Sequence, residues 1–117
     1  MPDAAIVVLA GTESPSDLGR VVNALQTTKE FAEHGDDVEL IFDGAGTQWI
    51  PTLADEDHDY HALYAAVEEH AQACDYCVDV YGVEAEIEDE GVEQAASFDG
   101  HPSIRSLVAE GYEVITY

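Results

Sequence analysis

Residues 4–10, AAIVVLA, carry no polar side chain and end at Gly11. A continuous apolar run of strand length is the signature of a β-strand covered on both faces, so this segment should be interior to a sheet. After the polar loop GTESPS, Leu18, Val21, Val22, Leu25 and Ala32 recur at helical spacing. They predict a helix of about 17 residues, with Ser16 or Asp17 as N-cap and Gly35 just past its end. The next segment, DVELIFDG, reads as a second strand over residues 37–42, closed by Gly44 and Gly46. The opening is therefore β-α-β, with parallel strands and a right-handed crossover.

Beyond a short segment at residues 49–53, Tyr60, Leu63, Tyr64, Val67 and Ala71 repeat as one face of a second amphipathic helix. Residues 74–98 are less regular. They predict a short strand near Cys74, a helical turn over 77–81, an acidic helix over 84–90 and another short strand over 94–98. Pro102 and Ser103 then open a helix bearing Ile104, Leu107 and Val108, Gly111 ends it, and YEVITY alternates as a terminal strand. Alternating elements of this kind build an open, mainly parallel sheet with helices on both faces, an α/β fold. At 117 residues the chain has the size of one domain, and residues 1–117 are read as such. Trp49 is expected among the exposed aromatics that need cover.

Twenty-six acidic residues face three basic ones, Arg20, Lys29 and Arg105, for a formal net charge of -23. Nucleic acid and anionic membranes would repel such a chain, so neither is expected as a partner. The acids are interspersed through a foldable apolar pattern, and none are arranged as a D-x-D-x-D-G cation loop. Repulsion of this size is screened at molar salt, where the Debye length falls to about 3 Å, so the composition points to a halophile's protein. Met1-Pro2-Asp3 lacks the basic start of a signal peptide, and no run of about 18 apolar residues suggests a membrane span. A cytoplasmic location follows by default.

Both cysteines lie in HAQACDYCVDVYG, as Cys74 and Cys77. One C-x-x-C supplies half of a structural zinc site. His70, four residues before Cys74, and His101, from a distant loop, are the candidates to complete a His/Cys metal set. A disulfide is disfavoured in a reducing cytosol. A redox pair needs positive charge near its first thiol, whereas Asp75 and Asp79 flank these thiols and should raise their pKa. Two small buried hydrophobes are the remaining reading. His58 and His61 stand at i, i+3, as metal ligands or as solvated side chains. The turn DGAGT, residues 43–47, falls at the carboxyl end of a predicted strand, where open α/β sheets bind ligands. It lacks the dinucleotide fingerprint, because Trp49 stands at the third glycine position, and it reads as a tight turn.

LIFDGAG followed by Trp49, then ACDYCVDVYGV, GHPS and the ending AEGYEVITY, occur in an order and spacing that resemble the DsrE/DsrF-like family, which includes the Tus sulfur-relay subunits. The resemblance spans nearly the whole chain. It implies a three-layer α-β-α domain with a mainly parallel sheet of about five strands. It also implies a homo-oligomer, with sulfur carried as a persulfide on a cysteine after the third strand. By its position before YGV, Cys74 matches that carrier and Cys77 a second cysteine found in some members. Many relay members have a basic residue just before the glycine of this turn; here Tyr81 stands there. The function implied is a thiol-based sulfur carrier with Cys74 as acceptor and Cys77 as resolving or assisting thiol. Such a carrier works with a sulfur-donor or acceptor protein and needs no cofactor. The rivals are a non-catalytic oligomeric interaction module with structural cysteines and a His/Cys metal-binding protein. If CDYC turns from a strand into a helix, nearby amide groups should leave Cys74 the more reactive thiol, with a pKa near the free value of about 8.5.

Overall fold

Five strands form the sheet of the computed structural model, which describes residues 2–117. In chain order they are β1 (Asp3–Val8), β2 (Val38–Phe42), β3 (Ala71–Cys74), β4 (Glu93–Ala95) and β5 (Tyr112–Thr116). Their spatial order is β4-β3-β2-β1-β5, and every neighbouring pair is parallel. The apolar run is interior over Ala4–Val8, where Ile6 is paired to Leu40 on one side and Ile115 on the other, but the strand ends at Val8 and Leu9 beyond it is exposed.

Strand alternation divides the core in two. On one face Ala4, Ile6 and Val8 join Leu40, Phe42 and Ala73. They pack against the apolar stripes of α1 (Pro15–Glu33), α2 (Trp49–Ala54), α3 (His61–Val67), α4 (Asp75–Val80) and α5 (Glu84–Glu90). On the other face Ala5, Val7 and Ile41 pack against Leu107 of α6 (Ile104–Ala109), with Tyr112 and Val114 of β5 at the margin. Helices on both sides of a parallel sheet make this the expected α/β architecture.

Several boundaries differ from the pattern reading. Helix α1 is capped by Ser14, whose Oγ accepts the Asp17 N–H at 3.2 Å, and not by Ser16 or Asp17. Pro15 occupies the first turn, where its missing N–H costs nothing. Ala71 keeps helical spacing yet belongs to β3 opposite Leu40, because α3 stops at Val67 and a single 3-10 turn, Glu68–His70, leads into the strand. Helix α4 begins at Asp75, two residues before the expected turn. Strand β4 is confined to Glu93–Ala95, and Phe98 belongs instead to a tight turn with His101.

Trp49 is the clearest correction. Its indole is 3% exposed, and Nε1 donates to the Ala10 carbonyl at 3.0 Å. The 3-10 helix Gly44–Gln48 carries it inward, passing so close to β1 that a Cβ on Gly46 would collide with the Val8 carbonyl oxygen. Gly46 is thus required by a backbone approach, and the turn and the tryptophan act together as the fastening between β1 and α2.

Candidate functional site

The carboxyl ends of β2, β3 and β4 lie side by side, which is where open parallel sheets place their ligand sites. Each end, or the loop after it, contributes a side chain to one cluster. Asp43 directly follows β2, Cys74 is the last residue of β3, Cys77 lies one turn on in α4, and His101 comes from the connection between β4 and α6.

Asp43 is held from several sides. Its backbone N–H donates to the Val8 carbonyl at 2.9 Å, and its Oδ1 accepts the Gly44 N–H at 2.8 Å, capping the 3-10 helix. The same Oδ1 receives the Cys77 thiol at 3.3 Å. Cys74 alternates onto the sheet face of Gln72 and Ile41, is fully buried, and turns the chain from strand into α4 with an extended ψ of 117°. Its Sγ lies 3.3 Å from His101 Nδ1. Cys77 is half-buried, and both thiols are free.

His101 owes its position to a turn. Phe98 and His101 exchange both backbone hydrogen bonds, at 2.9 and 2.8 Å, across Asp99 and Gly100. Asp99 has φ 52° and Gly100 φ 82°, the pair of positive values a type I′ turn needs and Asp-Gly supplies. The Gly100 carbonyl then accepts the Tyr76 N–H at 2.9 Å, tying the turn to the start of α4. The Tyr76 ring lies over the His101 imidazole, with centroids 4.8 Å apart. His101 is thereby clamped between the thiol and the phenol ring.

The electrostatics oppose thiolate formation at Cys74. Burial pushes its thiol up to about 12; the Cys77 backbone N–H pulls the other way, and the Cys77 thiol and Asp43 carboxylate add to the rise. The amide expected to favour a thiolate is therefore present, and desolvation outweighs it. This corrects the expectation of a value near that of a free cysteine. The opposing carboxylate is Asp43, far away in sequence, and not Asp75 or Asp79, which are exposed.

The other histidines stand elsewhere. His61 Nδ1 lies 2.8 Å from the Leu53 carbonyl, and His58 Nδ1 accepts the Tyr60 N–H at 3.1 Å, so the two do not share a ligand position. His70 Nε2 lies 3.6 Å from the carboxylate of its neighbour Glu69, away from the cysteine cluster. Asp43 was missed as a neighbour of the cysteines, because no local pattern links positions 31 residues apart, and the packing of Tyr76 on His101 was missed because it joins two segments distant in sequence. The placement of His101 had a signal in the Asp-Gly pair at 99–100.

A profile of the DsrE/DsrF-like family matches residues 5–117. An uncharacterized protein of Methanocaldococcus jannaschii is 25% identical over 95 residues, covering 81% of this chain and 78% of the relative. A solved structure, a conserved protein of unknown function from Bacteroides thetaiotaomicron, superimposes with a TM-score of 0.65 at 13% identity, covering 97% of this chain and 94% of that one. At that identity the likeness concerns the fold. No helix among the described residues is long and apolar enough to cross a membrane.

Proposed function

The chain belongs to the DsrE/DsrF-like family, and from that premise we propose that it is a sulfur carrier of the kind the Tus relay subunits represent, accepting sulfane sulfur on Cys74. The observation that carries this reading is the Cys74 Sγ to His101 Nδ1 contact of 3.3 Å, with Cys77 one helical turn away. A thiol held up by burial is a poor nucleophile unless a base takes its proton, and an imidazole in contact is that base. Cys74 then attacks the outer sulfur of a donor persulfide. The donor S–S bond breaks, the donor leaves as a thiolate that takes up the proton, and Cys74–SH plus R–S–SH becomes Cys74–S–SH plus R–SH. No net oxidation occurs and no cofactor takes part. Cys77 assists at the half-buried mouth of the site, and the imidazole stands in for the basic residue that Tyr81 replaces.

The reading takes residues 1–117 as one domain working in a cytoplasm at high salt, as a homo-oligomer that meets a donor or acceptor protein. Tyr76, Val80, Tyr81 and Phe98 are all exposed around the cysteines and offer the apolar surface such contacts use. With -23 charges, thermal stability should rise from low salt to molar KCl, and light scattering at molar KCl should give more than the 12.6 kDa of one chain.

The test is intact-mass analysis after incubation with a small persulfide donor. Wild type should gain the mass of one sulfur, mapped to Cys74; Cys74→Ser should abolish loading, and His101→Gln should slow it at least about tenfold. Loading unchanged in Cys74→Ser would overturn the reading. Complete burial of Cys74 favours the rival, an oligomeric interaction module with structural cysteines, and that reading prevails if both thiols resist alkylation and loading in the folded protein.

A further inference from the structure

We propose that Asp43, Cys74, Cys77 and His101 together bind one thiophilic divalent metal ion of the zinc type. The sulfur atoms of Cys74 and Cys77 and a ring nitrogen of His101 all lie within 4.8 Å of one another. The shortest thiol–imidazole separation is 3.3 Å, and Asp43 Oδ1 stands a further 3.3 Å from Cys77 Sγ. In a tetrahedral zinc site, with Zn–S near 2.3 Å and Zn–N near 2.0 Å, ligand atoms are separated by roughly 3.3–3.8 Å. Within the Cys74, Cys77 and His101 set the widest pair therefore has to close by up to about 1 Å, and the Asp43 carboxylate, which lies outside that set and touches it through Cys77, has to turn in as the fourth ligand.

The donor set selects the metal. Two thiolates and an imidazole suit zinc and its soft relatives, whereas magnesium and calcium demand oxygen ligands throughout. The ligands are also held by neighbours that act as an outer shell. The Gly44 N–H orients the Asp43 carboxylate, and the Phe98–His101 turn with the Tyr76 ring orients the imidazole. The cluster joins three loops at the carboxyl edge of the sheet, so an ion there would cross-link elements far apart in sequence. Binding replaces the two thiol protons: the ion plus Cys74–SH and Cys77–SH gives a dithiolate complex and two released protons, with no redox change. A bound ion occupies both thiols and excludes sulfur loading while it stays.

This assignment does not rest on the carrier reading, since metal binding is measured without a sulfur donor and sulfur loading on metal-free protein. The probe is Co(II) alone, added to chelator-treated full chain at molar KCl, which suppresses loose binding to surface carboxylates. One equivalent should produce thiolate-to-cobalt charge transfer and the visible bands of a tetrahedral ion. Equimolar Zn(II) should abolish both, and excess Mg(II) should leave them unchanged. Cys74→Ser with Cys77→Ser should abolish the charge-transfer band, His101→Gln should weaken binding at least about tenfold, and Asp43→Asn should weaken it less. Circular dichroism of each variant separates lost ligation from lost folding, and cobalt protection of Cys77 from alkylation in wild type gives a readout that needs no variant. The assignment is overturned if no charge-transfer band forms in wild type, or if the double cysteine variant, folded, binds Co(II) as tightly as wild type and so reports surface carboxylates only.

Discussion

The centre of the sheet and its β3–β4 edge are built on different principles. In β1 and β2, all residues of Ala4–Val8 and four of the five in β2 are buried, and the contacts that hold them are apolar or backbone. In β3 and β4, strands of four and three residues, burial thins toward the edge, and the side chains that gather beyond their ends are two thiols and an imidazole, met by the Asp43 carboxylate from the end of β2. The centre resists change because any added or removed volume is felt by close-packed neighbours. The edge tolerates polar groups because short strands leave loops to supply partners, which is why chemistry can reside there. Stability in this protein and reactivity are thus assigned to adjacent strands of one sheet.

Gly46→Ala should break that division most severely. The added methyl meets the Val8 carbonyl and not a movable side chain, so we expect a loss of about 4 kcal/mol or failure to fold. Urea unfolding of the variant would check it, and a loss below about 1 kcal/mol would show that the fastening between β1 and α2 is soft. Next, Ile6→Ala should cost about 3 kcal/mol, against about 1 kcal/mol for Cys74→Ala, because Ile6 is enclosed by two strands and by helices whereas Cys74 ends its strand. Equal losses would erase the contrast between centre and edge.

Titration sharpens the same contrast. In metal-free protein the Cys74 thiol is raised to about 12, so the native state keeps a proton that the unfolded chain gives up near pH 8.5. That contribution is complete below about pH 8.5 and is lost as pH rises toward the folded value. Between about pH 8 and 9.5, before most unfolded tyrosines have ionised, stability should fall by about 1 kcal/mol in wild type and by much less in Cys74→Ala. Chemical unfolding at stepped pH measures both slopes. The smallest effect is favourable: Gly19→Ala in α1 meets no atom within 4 Å and should add about 0.5–1 kcal/mol by helix propensity. Comparing Gly19 with Gly46 separates a glycine that is merely permitted from one that the packing demands.

Much of the fold was legible because its cues are local. The uninterrupted apolar run declared an interior strand, the β-α-β order followed from a change of period, and Ser103, Gly111 and YEVITY closed the last unit as expected. The misplaced boundaries have local causes as well. Leu18 begins the apolar stripe of α1 three residues after the helix itself starts, and Ala71 is in phase with α3 although a 3-10 turn has already intervened. Trp49 was misjudged because a large aromatic beside a glycine-rich turn carries no mark of the side to which the turn will carry it.

The cysteine pair shows the limit of such cues. Spacing alone put Cys77 one helical turn from Cys74, whereas the Asp-Gly pair at 99–100, a turn signal, went unread in the sequence. Local pattern thus settled the element types, the interior strand and the adjacency of the thiols, because propensity, period and turn chemistry act over a few residues. Which groups meet those thiols depended on parallel pairing of β2, β3 and β4, which brings Asp43 and His101 to the same edge from opposite sides in sequence. Burial of Cys74, and with it the raised thiol, also arose only on folding, since desolvation is a property of everything that surrounds a group and not of its neighbours along the chain.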